Sequence, residues 1–406
     1  MVPRPLYLEQ IKPYINQPFI KILVGLRRAG KSTILEQVKA LLITDYAVPE
    51  DQLVHINFDS LEYATIRDKA DFLPLITDLY QHQNKRYFLL DEIQNIANWD
   101  EVISALFNKG DVDIYLTGSN SKLLSSELST FLTGRFINIP VSTLNFREFL
   151  DFESARGNNI GDIPSAFDKF LTIGGFPALH LADQTPATSD EIVSDIYSSI
   201  LFRDLIERKN IRNTELLARV VKYIADNIGN IFSAKSISDY LKNEHRTLSV
   251  ETIYNYLTWL EEAFIIRRVQ RYDLRGKTIL KTNEKFFLGD ISILYALNGR
   301  SPSYLTGALE NLVYNELVSR GYQVYIGQNN DAEVDFIAEK NHEKLYLQVT
   351  AHLSEKSTAD REFNAYLGID DNYPKYVLSL DQESAWSENR AGIKQKYLPD
   401  FILNEL

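Results

Sequence analysis

The chain has 406 residues, 45% of them hydrophobic and 24% charged, enough for about two or three packed domains and without the polar bias of a disordered protein. It contains no cysteine, which excludes a disulfide framework, a thiolate metal site and a cysteine nucleophile. Its 43 Lys and Arg against 55 Asp and Glu give a net charge of -12, which opposes whole-surface attraction to nucleic acid but leaves a local basic face open. The opening MVPRPLYLEQIKPY lacks the apolar core of a secretion signal, and no run of about 18 apolar residues occurs that could span a bilayer. The expectation is a cytoplasmic protein with no membrane partner.

The first mostly apolar run, Phe19 to Val24, stops at Gly25 and is followed by Ile34, Leu35, Val38, Leu41 and Leu42 on one helical face, a strand-loop-helix pattern. Further strands are predicted at Leu53 to Phe58, Tyr87 to Leu90, Val112 to Thr117 and Phe136 to Val141, with helix-length segments between the first four. Such alternation implies a mostly parallel sheet in an α/β fold. From about Asn145 to Asn230 the pattern is helical, and Gly174-Gly175-Phe176-Pro177 reads as a hinge or tight turn. Three helices follow at Glu215 to Asn227, Ser236 to Lys242 and Val250 to Glu262, then a hairpin of Ile265 to Tyr272 and Thr278 to Asn283 around Arg275-Gly276. That order predicts a winged helix-turn-helix. A helix near Tyr304 to Arg320 and strands at Gln323 to Ile326, Glu333 to Ala338, Lys344 to Val349 and Lys375 to Leu380 read as a separate α/β domain. The expected organisation is a nucleotide-binding core over 1–145, a helical lid over 146–214, the winged helix over 215–300 and a last domain over 301–406.

Gly25-Leu26-Arg27-Arg28-Ala29-Gly30-Lys31-Ser32-Thr33 matches the phosphate-loop pattern and lies between a predicted strand and helix, the context that gives the pattern meaning. Its glycines let backbone N–H groups face a phosphate, and the helix adds its positive end. Gly25, Arg28, Ala29, Gly30, Lys31, Ser32 and Thr33 are therefore the expected nucleotide contacts. Lys31 should reach the β and γ phosphates of ATP, and Ser32 should ligate Mg2+. The run Tyr87 to Leu90 ends in Asp91-Glu92, where Asp91 fits the magnesium shell and Glu92 a base for the attacking water. Acids at a helix N-terminus are the plain alternative. Ser119 and Asn120, at the tip of the Val112 to Thr117 strand, could sense the γ phosphate, or could belong to an ordinary turn. Arg135 closes a short helix before the fifth strand, where a cation also suits a helix C-terminus.

The phosphate loop with Arg27 and Arg28, the Asp91-Glu92-Ile93-Gln94 box with Trp99, Thr117-Gly118-Ser119, Gly134-Arg135, Phe146-Arg147-Glu148-Phe149 and Gly174-Gly175-Phe176-Pro177 together resemble the prokaryotic AAA-type ATPases that carry a C-terminal domain of unknown function with an endonuclease-like fold. The resemblance implies a P-loop ATPase core, a helical lid and a head-to-tail oligomer. It also implies that Arg135 is an arginine finger acting on the neighbouring subunit and that Arg203 is a second sensor in the lid. An Arg203-Asp204 surface pair is the ordinary alternative.

From Leu201 to Asp290 there are 16 Lys and Arg against 12 Asp and Glu, so this segment is mildly basic in an acidic chain. The hairpin concentrates the excess in Arg267, Arg268, Arg271, Arg275, Lys277, Lys281 and Lys285. Arg267, Arg268, Arg271, Arg275 and Lys277 are the expected contacts to a DNA backbone, with Thr252, Tyr254, Asn255 and Thr258 facing the major groove; docking of a protein partner is the other use of such a module. In the last domain, Glu310 on a helix, Asp335 in a strand and Gln348-Val349-Thr350 on the next resemble restriction-endonuclease-like nucleases. Those enzymes place a lysine where Thr350 stands and a carboxylate or amide at Gln348, and a neutral hydroxyl supplies no positive charge. Glu310, Asp335, Gln348 and Thr350 therefore read as a degenerate site.

Overall fold

The computed structural model describes residues 1–80, 84–119, 134–158, 161–330, 332–382, 390 and 392–406, with the backbone alone at 281 and 282. The chain divides into two compact units, Met1–Ser142 with Glu262–Phe264, and Thr143–Glu261 with Ile265–Leu406.

In the first unit, strands β1 (Ile20–Val24), β2 (Leu53–Asn57), β3 (Arg86–Asp91), β4 (Val112–Gly118) and β5 (Phe136–Pro140) form a sheet of order β2-β3-β4-β1-β5. Every pairing in it is parallel. The helices Lys31–Thr44, Lys69–Leu79 and Trp99–Phe107 supply crossovers, which parallel neighbours require. The chain leaves β1 for distant β2 and returns through β3 to β4, so the strand order reverses beside β1, and the crevice at the carboxyl ends of such strands is where ligands bind. One polar pair lies inside this apolar sheet. Lys21 on β1 is ion-paired with Asp113 on β4, and its ammonium lies 4.3 Å from the ring centre of Tyr115. Asp113 also accepts from Asn16 N at 2.9 Å and Tyr115 Oη at 2.9 Å, which satisfies a carboxylate that burial would otherwise penalise.

The second unit opens with the helix Phe146–Ala155, held by a reciprocal capping box between Asn145 and Glu148. Phe146 N donates to the buried Glu316 carboxylate at 2.6 Å, so the Phe146-Arg147-Glu148-Phe149 motif anchors this helix on Leu305–Ser319. Gly174-Gly175 forms the tight turn of the two readings. Gly174 has φ +87°, a Cβ on it would lie 2.6 Å from Asp290 Oδ1, and one on Gly175 would lie 2.5 Å from Leu144 O. Gly175 N donates to Asp290 Oδ2 at 3.0 Å and Leu144 N donates to Gly175 O at 2.7 Å. The glycines are needed because backbone and carboxylate approach too closely for a side chain.

Helices Thr214–Asp226, Ala234–Asn243 and Val250–Glu262 flank the short β6 (Ile231–Phe232) and lead into the hairpin β7 (Ile266–Asp273) and β8 (Thr278–Leu288). The expected separation at residue 300 is not observed in the sheet. Strands β9 (Gln323–Asn329), β10 (Ala332–Lys340), β11 (Glu343–Val349), β12 (Lys375–Ser379) and β13 (Lys394–Tyr397) continue the hairpin into one eight-stranded sheet, β13-β12-β11-β10-β9-β7-β8-β6. The join is parallel pairing of Arg271–Asp273 with Ile326–Gln328. An edge strand exposes unpaired N–H and C=O groups, and β9 covers that edge of β7.

Candidate active site

The phosphate loop is built by close backbone approach. A Cβ at Gly25 would lie 1.9 Å from Val141 O, where the chain leaving β5 crosses, and Val141 N donates to Val24 O at 2.6 Å. Arg28 and Gly30 both take left-handed backbone, φ +65° and +96°, and Gly30 is the residue from which the helix Lys31–Thr44 starts. Lys31 is buried and its Nζ donates to Gly25 O at 2.9 Å and Leu26 O at 3.0 Å, while Ser32 and Thr33 are exposed at the helix start. Arg4, which no sequence motif marks, is 1% exposed. Its guanidinium donates to Ala29 O at 2.6 Å and Ser142 O at 3.0 Å, clamping the loop to the segment after β5.

Asp91 ends β3 with its carboxylate buried beside the loop, hydrogen-bonded by the hydroxyls of Thr117 and Ser32. Burial pushes its pKa up, against those two bonds. Glu92 follows in a left-handed conformation, φ +55°, which is uncommon outside glycine and concentrates at functional sites. Its N–H donates to Thr117 Oγ1 at 3.0 Å. One β4 hydroxyl therefore fixes both acidic residues, a role for Thr117 that its sequence position alone does not reveal. Gln94 Nε2 donates to the Glu92 carboxylate and to Ser119 Oγ, the latter at 3.2 Å, and Ser119 Oγ lies 3.4 Å from Glu92 Oε2. The structure thus brings together Lys31, Ser32, Asp91, Glu92 and Ser119. Asn120 lies outside the described residues.

Arg135 stands just before β5, whose Phe136 is level with Ile20 at the start of β1. Its Nη1 donates to Asn108 Oδ1 at 2.6 Å and its guanidinium lies 6.0 Å from the Phe107 ring centre. From Ile20 to Val24 the strand advances about 13 Å, so this arginine lies at the opposite end of the sheet from its own phosphate loop. Arg203 is exposed within the π-helix Leu201–Glu207 of the second unit. Asp204 there is buried and pairs with Arg208 at 3.8 Å.

Residues 17–150 match the family described as AAA domain, and residues 164–304 match a domain of unknown function (DUF8612). An uncharacterized protein of Haemophilus influenzae is 36% identical over 99% of this chain and 99% of its own length. An uncharacterized protein of Methanocaldococcus jannaschii is 31% identical over 86% of this chain and 78% of its own. The chain belongs to this family of AAA-domain proteins. Its nucleotide-binding core is an AAA-type P-loop fold. A Walker-type ATPase of Pyrococcus abyssi overlaps 73% of this chain and 96% of its own at 12% identity, with a TM-score of 0.46; the fold assignment rests instead on the family match, the phosphate loop and the parallel sheet.

Elsewhere in this AAA-domain protein the structure joins a residue that sequence reasoning placed differently. Lys285, read as one of the hairpin's available cations, is 1% exposed. Its Nζ lies 2.7 Å from Glu310 Oε2, 2.7 Å from Glu333 Oε1 and 3.6 Å from Asp335 Oδ1. A lysine from β8 therefore places its charge among these carboxylates, and Glu333 joins Glu310 and Asp335. Burial would lower Lys285, but the three carboxylates outweigh it and hold its pKa above the usual lysine range. Burial raises Glu310, helped by Asp335, and pushes Asp335 up to about 7. Gln348 Oε1 accepts from Asp335 N at 3.0 Å and Val349 N donates to Asp335 Oδ2 at 2.8 Å, so the amide steadies the strand pair. Among the described residues Thr350 Oγ1 reaches only His352 O, at 3.4 Å.

The other hairpin cations divide in two. Arg268 is paired with Glu261 at 2.9 Å and Glu284 at 3.4 Å, and Arg271 donates to Gln328 Oε1 at 2.8 Å. Arg267 is half-buried on β7, whereas Arg275 and Lys277 are exposed at the turn. Tyr254, Asn255 and Thr258 share the exposed face of the helix Val250–Glu262, with Thr252 half-buried. Among the described residues no helix is long and apolar enough to cross a membrane.

Proposed function

We propose that this protein is a magnesium-dependent ATP hydrolase acting as a nucleotide-driven switch in a head-to-tail oligomer. The observation that carries it is the juxtaposition of the phosphate loop with Asp91 and Glu92, both held by Thr117. Lys31 holds the β and γ phosphates. Ser32 and Asp91 fit Mg2+, since their hydroxyl and carboxylate already meet and the ion, when bound, neutralises charge on the phosphate oxygens. Glu92 takes one proton from the attacking water as its oxygen bonds to the γ phosphorus. The bond from that phosphorus to the bridging oxygen breaks, and ADP leaves with the electron pair.

Arg135, directed away from its own loop, acts in trans or not at all, and a contact of that kind builds rings or filaments. The test is a mixing experiment. Arg135→Ala binds ATP and hydrolyses it about 10³- to 10⁵-fold more slowly, and adding Lys31→Ala subunits, which retain the arginine, restores part of the rate. A folded Arg135→Ala monomer with full, concentration-independent activity removes the trans mechanism.

The helix-strand-helix-helix-hairpin segment serves as a winged helix, with DNA as its proposed ligand through Arg275, Lys277, Tyr254, Asn255 and Thr258. A second reading, docking of a protein partner, is favoured by the internal engagement of Arg268, Arg271 and Lys285. Duplex binding that weakens steeply with salt selects the first; none at low salt selects the second.

A further inference from the structure

We propose that Gln94 is the positioning residue of the hydrolytic water, a role that rests on the ATPase function proposed above. The left-handed turn at Glu92 brings the residue two places on back to its carboxylate, where Gln94 Nε2 contacts both Glu92 and Ser119 Oγ. The Glu92 carboxylate demands a donor, of the carboxamide's two ends only the nitrogen donates, and Ser119 Oγ, whose own hydrogen is directed at Glu92, accepts from the same nitrogen. The orientation of Gln94 is thereby fixed, and its Oε1 is left as an acceptor. That oxygen is buried and has no hydrogen-bond partner among the described residues. A buried acceptor without a donor is costly, and a position beside the general base is where a water with two hydrogens to place arrives. One hydrogen goes to Glu92 and is transferred as the oxygen attacks phosphorus; the other is held by Gln94 Oε1. The carboxamide therefore acts twice, fixing the base through its nitrogen and the nucleophile through its oxygen. Ser119, at the tip of β4, steadies the same nitrogen from the other side.

The experiment uses the full-length protein with Gln94→Met, similar in length but without hydrogen bonds, and Gln94→Glu, which keeps the oxygen and loses the donor to Glu92. Both are expected to lower kcat about 10- to 100-fold, the scale of misplacing a reacting group, with KM for ATP within about twofold of wild type. Affinity for ADP alone should be unchanged, while the tightening of ADP by aluminium fluoride, which mimics the phosphoryl group in flight with its axial water, should be lost. Wild-type kcat in either variant overturns the proposal. So does a parallel loss of ADP affinity, which marks a structural role in the loop. If the wild type binds ADP but neither hydrolyses ATP nor responds to fluoride, the ATPase function itself falls, and Gln94 with it; that outcome is distinct because it appears before any variant is made.

Discussion

Each unit buries a lysine beside strand carboxylates, and the two arrangements differ in what the ammonium touches. Lys31 donates to the carbonyls of Gly25 and Leu26, so Asp91 and Glu92 are held by the hydroxyl of Thr117 and the amide of Gln94 and keep oxygens for a cation or a water. Lys285 sits instead against Glu310, Glu333 and Asp335. Its charge takes up the acceptor capacity a metal would need, and among the described residues no group of three or more acidic or histidine side chains is arranged to hold an ion. The same residue types yield a site for chemistry when the cation is satisfied by backbone, and an internal tie when it is satisfied by the acids.

The sharpest way to break this comparison is to remove each lysine in turn. Lys31→Ala should abolish ATP binding or hydrolysis while leaving the urea midpoint nearly unchanged, because its partners are carbonyls that a loop can rehydrate. Normal nucleotide affinity in that variant would contradict the role given to the loop. Glu92→Gln should keep ATP affinity and lose about 10²- to 10⁴-fold in turnover, the usual contribution of a general base. Single-turnover kinetics measure it, and an unchanged rate would remove Glu92 as the base.

The first of these sites was legible in the sequence because its parts are local: Gly25 to Ser32 is one turn of chain, and Asp91-Glu92 ends a recognisable apolar strand. What Thr117 and Arg4 do was not, since a threonine at a strand tip and an arginine before a short helix look ordinary until the fold brings Thr117 to Asp91 and Arg4 to Ala29 O. Lys285 was misplaced for a similar reason. Sequence gives its charge and its strand, but its neighbours come from 25 and 48 residues further on. The pairing of β7 with β9 spans a comparable gap, so the change of helix-and-strand pattern near residue 300 does not reveal that one sheet runs across it. Gly174-Gly175 reads as flexible because glycine permits both bending and tight packing, and only Asp290 in contact tells the two apart.

Lys285→Met sharpens the other half of the comparison. Above about pH 7, where Asp335 is ionised, removing one partner of this buried ionic cluster leaves uncompensated charge and costs about 3–5 kcal/mol, which equilibrium urea unfolding should register. Adding Glu310→Gln and Asp335→Asn to the same chain should recover part of that loss, since the stranded carboxylates are then neutral. Incubation of the wild type with plasmid DNA and Mn2+ should give no cleavage attributable to Glu310 and Asp335. Nicking that vanishes in Asp335→Asn, with ATPase retained, would show that Lys285 yields the site to a metal.

The smallest expected effect is a slope. Burial pushes the Asp335 carboxyl up to about 7 in the folded protein, from 3.8 for an ordinary aspartate, and Glu310 is raised in the same direction. Between about pH 4 and pH 7 the folded state therefore binds more protons than the unfolded chain, so these groups make stability fall as pH rises through that window. Lys285 works in the same direction but only in strong alkali, because a raised lysine pKa contributes stability that is lost as pH rises through the folded value. Asp335→Asn removes one of the two acidic contributions while keeping an oxygen that can accept from Val349 N. The urea midpoint of the variant should accordingly depend less on pH across the window than that of the wild type, with the two curves separating as pH rises and the wild type losing ground. Parallel curves would mean that Asp335 is already ionised throughout the window, and that the Lys285 cluster holds its carboxylates charged from acid upward.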